Sequence, residues 1–409
     1  MPAGRGDVTA ELRQIIQRIE ARHRAASPPR RSASLESLVG GAAEDTEHGP
    51  LLVVRRRFPV HHQHGAQPLR EACVATPGAL TLLARAATSF PGGARLLYLD
   101  TETTGLAGGT GTYVFLVGVG FFDGDEFEVR QFFLRDLDEE PRLLAALDGL
   151  VRGFDGLVTY NGTGFDLPLL ETRFVLARRR WPGESVHLDL LPPARRLWRD
   201  RLADCRLATV ERHVLGFTRE DDIPGALIPA AYFEWLRRRS PGRLPQVFEH
   251  NRHDVLSLAA LLGWVGAAVE RAPAPELDPF ELAGLGGLWE RDDPGRSEAC
   301  YRMALDLGLA GPGRERLLGR LAWWEKRRTR WDEARALWEE VARSQRGFDP
   351  RPWEEIAKIH EHRRRDFSSA RSVVEEALAR GRTHGASERI LALLDHRRSR
   401  LERRLAGRR

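Results

Sequence analysis

Asp100 and Glu102 stand two residues apart at the end of the apolar run Arg95-Leu96-Leu97-Tyr98-Leu99. A short apolar run of this kind reads as a buried strand. Alternate residues of a strand project to the same side, so both carboxylates leave one sheet face. Neighbouring carboxylates repel and raise each other's pKa unless a cation lies between them. Hard oxygen donors suit Mg²⁺ or Mn²⁺. A solvated strand end would carry the same pair, so the surroundings matter. Thr103-Thr104-Gly105-Leu106 follows directly, and a turn there can present backbone N–H groups and hydroxyls to a sugar or phosphate. Further on, Tyr160-Asn161-Gly162-Thr163-Gly164-Phe165-Asp166 runs through a glycine loop to an acid at a helix start. A plain N-capping aspartate is the other reading of Asp166. His250 and Asp254 are four apart on a predicted helix and share a face, while His253 points away from it.

These residues need elements to hold them. The first fifty residues read as a helix over Thr9 to Ala25 and then a loose tail with the acidic patch Glu44-Asp45-Thr46-Glu47, low in apolar content. From Leu51 the pattern tightens. Strands are predicted over Leu51 to Arg56, Arg95 to Asp100, Tyr113 to Phe122, Phe127 to Leu134, Gly156 to Tyr160 and Val186 to Leu190. Asp123-Gly124-Asp125 joins the third and fourth as a hairpin. Helices are predicted over Pro77 to Ala87, Asp138 to Arg152, Leu167 to Arg179, Leu207 to Leu215, Pro229 to Arg239 and Leu244 to Val269. Strands followed by alternating helices and strands give an α/β mixed sheet flanked by helices. A linker over 271–278 contains Ala272-Pro273-Ala274-Pro275. From 279 to 409 the chain reads as helical pairs. Ala299-Cys300-Tyr301, Ala334-Arg335-Ala336 and Ala370-Arg371-Ser372 recur about every 35 residues, close to the tetratricopeptide period. Trp289, Trp323 and Trp353 precede them and read as core aromatics between paired helices.

The order Asp-x-Glu-Thr-Thr-Gly, then Asn-x-x-x-Phe-Asp, then a late helical Asp resembles the DEDD 3′–5′ exonucleases of the RNase H-like superfamily. The middle motif is similar to the proofreading exonuclease of family B DNA polymerases. The fuller run is Leu99 to Tyr113 with its Gly108-Gly109-Thr110-Gly111-Thr112 insert, then Asp189-Leu190-Leu191, then His250-Asn251-x-x-Asp254. It resembles the bacterial YprB-like family of predicted RNase H-like exonucleases, which often carries helical repeats behind the nuclease. The resemblance spans Leu51 to Val269. It implies an RNase H-like exonuclease domain over 51–270, with Asp100, Glu102, Asp166 and Asp254 binding two divalent ions, Mg²⁺ or Mn²⁺, that activate water. It also places Thr103, Thr104, Gly105, Leu106, Asn161 and Phe165 against the substrate, a single-stranded nucleic acid or 3′ end. One subclass has Tyr four residues before the last Asp, and the other has His five before. Here His250 stands four before, where it would orient the water or deprotonate it as a general base.

Other signals are weaker. Gly108 to Thr112 has no following helix with Lys-Ser/Thr, which argues against a nucleotide P-loop. His61, His62 and His64 with Cys73 fit no standard zinc spacing. Asp189 is surplus to two carboxylate pairs and reads as a supporting residue. The runs Arg178-Arg179-Arg180, Arg195-Arg196 and Arg237-Arg238-Arg239 could meet phosphates or simply be solvated. Three dispersed cysteines suit a reducing cytoplasm. The N-terminus lacks a signal pattern, and the most apolar stretch, Tyr113 to Phe122, is too short to span a bilayer. Net charge is +5, and Lys326 and Lys358 are the only lysines. This mildly favours an anionic partner such as nucleic acid. DNA and RNA remain equal options. A catalytically silent nucleic-acid binder, or a scaffold holding a protein partner on its helical repeats, is the alternative function.

Overall fold

A computed structural model describes residues 34–85, 90–105, 109–183 and 186–407. The helix expected over Thr9 to Ala25, the end of that expected over Pro77 to Ala87, and Leu106 and Gly108 lie outside the described residues. The chain divides into two compact units, one up to Arg271 and one from Ala272.

Among the described residues the first unit has nine strands: β1 (Gly41–Thr46), β2 (Gly49–Pro59), β3 (Gln63–His64), β4 (Gln67–Pro68), β5 (Leu96–Thr103), β6 (Val114–Asp123), β7 (Glu126–Phe133), β8 (Gly156–Thr159) and β9 (Val186–Asp189). Seven of them form one sheet in the order β1-β2-β7-β6-β5-β8-β9. Pairing is antiparallel from β1 through to β5 and parallel from β5 to β9. This is the α/β mixed sheet expected from the sequence. Strand β6 reads Val-Phe-Leu-Val-Gly-Val-Gly-Phe and is buried on both faces along those eight residues, as a central strand covered on each side must be.

Helix Leu244–Arg271 packs on this sheet. Phe248 meets Phe133 of β7 with ring centroids 5.2 Å apart. Its approach to β6 depends on two glycines. A Cβ at Gly118 would stand 2.1 Å from the Asn251 side chain, and one at Gly120 would stand 2.6 Å from Val255. Among the described residues this helix alone is long and apolar enough to cross a membrane, and 78% of its apolar window is buried within the protein. A helix that is apolar most of the way round is what a covered core requires. Helix Glu140–Val151 adds Leu143, Leu144, Leu147 and Val151 to the same core.

One expectation is corrected. Residues 41–46, read as part of a loose tail, form the edge strand β1, with Glu44 opposite Leu51. Backbone pairing needs no apolar side chains, and Arg55 of β2 holds the Glu44 carboxylate with two hydrogen bonds of 2.6 Å. Charged side chains on an edge also discourage further strand addition.

The second unit contains, among the described residues, seven α-helices from Pro279–Trp289 to Glu388–Ala406. Of the expected repeat positions, Ala334, Ala370 and Trp353 are buried, whereas Ala299 is exposed and Trp289 half-buried. Trp323 does not fill the core: it is 47% exposed, and Trp338 is buried instead. The two indoles meet edge to face at 6.0 Å. Leu318, Leu321 and Ala322 of the same helix are buried.

Candidate active site

The end of β5 places Asp100 and Glu102 on one side of the sheet, as their spacing requires. The long helix crosses there and brings His250, Asn251 and Asp254 beside them. Donor atoms of Glu102, His250 and Asp254 all lie within 4.8 Å of one another. Asp100 is tied to the same helix, since Asn251 donates through Nδ2 to its carboxylate at 2.8 Å. Asn251 is itself aimed by Gln131 of β7, whose Nε2 donates to Asn251 Oδ1 at 2.9 Å and to the Phe248 carbonyl at 2.8 Å. Gln131 and Asn251 are both buried, so this chain fixes the position of the Asp100 carboxylate.

Asp166 is the first residue of helix Asp166–Leu176, and Phe165 stands at the N-cap position. It is therefore not an N-capping aspartate: its carboxylate accepts a hydrogen bond from Thr101 Oγ1 on β5. The loop before it is held by Asp189 at the end of β9. That carboxylate accepts from the backbone N–H groups of Asn161 at 2.8 Å, Thr163 at 3.1 Å and Leu191 at 3.0 Å. Asn161 takes a left-handed conformation (φ 66°), which asparagine tolerates better than most residues. Its side chain is exposed, and Phe165 is half-buried. At the other rim Thr103 Oγ1 donates to the Gly105 carbonyl at 2.9 Å, and Thr104 Oγ1 accepts from the Tyr113 N–H at 2.9 Å.

The acids crowd one another. Burial pushes the Asp100 carboxyl well up, and the charges of Asp254, Glu102 and Asp166 push it further. Burial, then Asp254 and Asp166, does the same to Glu102. Burial lifts Asp166 to about 6, against the opposing hydrogen bond from Thr101. Carboxyls gathered in this way favour a cation among them, and the oxygen-rich donor set suits a hard divalent ion.

A second layer comes from a segment that carried no motif. Arg219, with its side chain only 7% exposed, donates to both oxygens of Glu211 (2.6 and 2.8 Å) and to Asp254. It also lies 3.4 Å from Asp222 and 3.2 Å from His250 Nδ1. Burial opposes its charge, but Asp254 and Glu211 more than offset this and raise its pKa. Glu211 in turn accepts from Ser257, which accepts from His64 Nε2 at 2.7 Å. His64 is thus a buried support: burial drives its pKa down to about 3. Among the described residues His61, His62, His64 and Cys73 do not assemble a donor group.

Residues 97–266 match a family model described as RNase_H superfamily. Over 340 residues the chain is 32% identical to the protein YprB of Bacillus subtilis (strain 168), covering 80% of each. The chain belongs to the YprB family. Its RNase H-superfamily region takes in β5 through most of the long helix, and therefore every acid of the site. The family B DNA polymerase of the hyperthermophilic archaeon Pyrobaculum calidifontis aligns with 54% of this YprB-family chain at 19% identity and a TM-score of 0.34. The chain spans 30% of that polymerase.

Proposed function

We propose that this protein is a divalent-metal-dependent nuclease, a 3′–5′ exonuclease that hydrolyses phosphodiester bonds of DNA or RNA. The observation that carries this reading is the donor group of Glu102, His250 and Asp254 within 4.8 Å, beside the raised carboxyls of Asp100 and Asp166. Asp100, Glu102, Asp166 and Asp254 would hold two ions, Mg²⁺ or Mn²⁺, which supply an activated water and charge stabilisation at phosphorus. The protein's own part is placement. Gln131 and Asn251 fix Asp100, Thr101 fixes Asp166, and Arg219 fixes Asp254. Thr103, Thr104 and Gly105 on one rim, with Asn161 and Phe165 on the other, would receive the sugar and phosphate of a single-stranded end, with Leu106 added to them by the sequence resemblance alone.

The test uses 5′-labelled single-stranded DNA and RNA with Mg²⁺, Mn²⁺ or EDTA, beside the Asp100→Ala/Glu102→Ala variant. A metal-dependent ladder of shortened products, absent in the variant, is the expected result. Binding without cleavage under every condition would move the assignment to a catalytically silent nucleic-acid binder or a scaffold acting through its helical unit.

A further inference from the structure

We propose that His250 is a metal ligand through Nε2, oriented by Asp222, and that this imidazole makes the site favour Mn²⁺ over Mg²⁺. The proposal rests on the metal site of the nuclease reading and adds a nitrogen donor to a set that is otherwise all oxygen.

The argument starts at the other ring nitrogen. His250 Nδ1 lies 2.8 Å from Asp222 Oδ1 and 3.2 Å from Arg219 Nη1. A carboxylate only accepts and a guanidinium only donates, so Nδ1 cannot serve both. The carboxylate contact is the shorter one. Arg219 Nη1 has a carboxylate acceptor of its own in Asp222 Oδ2 at 3.4 Å, and Nη2 is taken by Glu211 and Asp254. Nδ1 therefore carries the hydrogen and donates it to Asp222.

In the neutral ring Nε2 then presents a lone pair. It faces Asp254 Oδ2 at 3.4 Å, with a Glu102 oxygen in the same group. Lone pairs facing one another repel unless a cation lies among them. A proton would satisfy two of these three donors, whereas a divalent ion satisfies all three. Neighbouring donors of an octahedral ion, each about 2.1 Å from it, lie about 3 Å apart, close to the 3.4 Å between His250 Nε2 and Asp254 Oδ2. A carboxylate on the far nitrogen is the usual support of a metal-bound histidine, and it fixes the tautomer. Imidazole suits transition ions better than Mg²⁺, which prefers oxygen and water. A nitrogen committed to an ion has no lone pair left to take a proton from water. The ligand role therefore replaces the general-base role that the sequence suggests for His250.

The experiment loads the full chain with Mn²⁺ and records pulsed electron paramagnetic resonance. The wild type is expected to show ¹⁴N modulation from one bound imidazole. His250→Gln should lose that signal and bind Mn²⁺ about 10- to 100-fold more weakly, with a smaller loss for Mg²⁺ in calorimetric competition. Asp222→Asn should weaken Mn²⁺ binding while keeping some ¹⁴N signal. Mn²⁺ bound to the wild type without ¹⁴N modulation overturns the proposal and leaves the nuclease reading standing. No Mn²⁺ binding by the wild type, or unchanged binding by Asp254→Asn, brings down both. Should His250→Gln fail to fold, the wild-type spectrum alone decides.

Discussion

At the scale of single residues the site is a set of acids held closer than they would choose. Asp166 shows the consequence most simply. Its carboxyl titrates near 6 in the folded chain and near 3.9 unfolded. An acid raised on folding binds its proton more tightly in the native state. The native state is therefore favoured at low pH and loses that advantage as pH rises from about 4 to about 6. In EDTA at pH 8, Asp166→Asn is expected to raise the melting temperature by a few degrees, because Asn still accepts the Thr101 hydrogen bond without the charge. In Mg²⁺ or Mn²⁺ the same variant should lose cleavage by 100-fold or more. A lower melting temperature in EDTA would contradict this account of the crowding. Asp100→Asn should behave alike in both assays.

At the scale of elements, what could be read from the sequence depends on whether a local period carried it. Asp100 and Glu102 share a face because a strand alternates, and His250 and Asp254 do so because a helix turns every 3.6 residues. Asp166 stands at a helix start for reasons of loop chemistry. Asp100, Glu102, His250 and Asp254 are legible in this way, whereas Asp166 is singled out only by the resemblance of its motif. Arg219, Asp222 and Glu211 were not. They lie in and around the irregular stretch Glu211 to Pro224, and only the tertiary fold brings them to the long helix. Edge strand β1 was missed because its polar residues hide a backbone that pairs regardless. Trp323 is exposed where the repeat period suggests a core aromatic, because the period does not set which face an indole takes. Gly118 carries a prediction at this scale. Gly118→Ala would push its Cβ into the Asn251 side chain and disturb the hydrogen bonds to Asp100 and Gln131. Overpacking of this kind costs about 1–3 kcal/mol. Urea unfolding should show that loss, and cleavage should fall more than a purely structural change at a distant glycine would cause. Unchanged stability would mean the helix has room to yield.

At the scale of the whole molecule, charge is divided unevenly. From Ala272 onward there are 29 basic and 24 acidic side chains, leaving 34 of each before it. All of the +5 excess therefore lies in the helical unit. Its last helix contributes Arg397, Arg400 and Arg404 around the buried carboxylate of Glu361, at 3.5, 2.6 and 3.6 Å, with Arg389 and Arg403 exposed nearby in sequence. One carboxylate cannot neutralise three guanidinium groups. Arg389→Glu/Arg403→Glu is expected to weaken binding of single-stranded DNA several-fold and to flatten its salt dependence by about 1–2 in log–log slope, with Mn²⁺ affinity unchanged. An unaltered slope would place the phosphate contacts elsewhere. The helix Leu244–Arg271 has a different kind of reach. It is the structural spine of the first unit and also the bearer of His250, Asn251 and Asp254. Cargo and keel are the same piece. Ion occupancy therefore feeds directly into heat tolerance, at about 2.7 kcal/mol when the free ion is a hundredfold above its dissociation constant. In a crude extract warmed in steps with and without added Mn²⁺, this chain should remain in the supernatant longer when the ion is present. A metal-starved cell would hold a shorter-lived population of it.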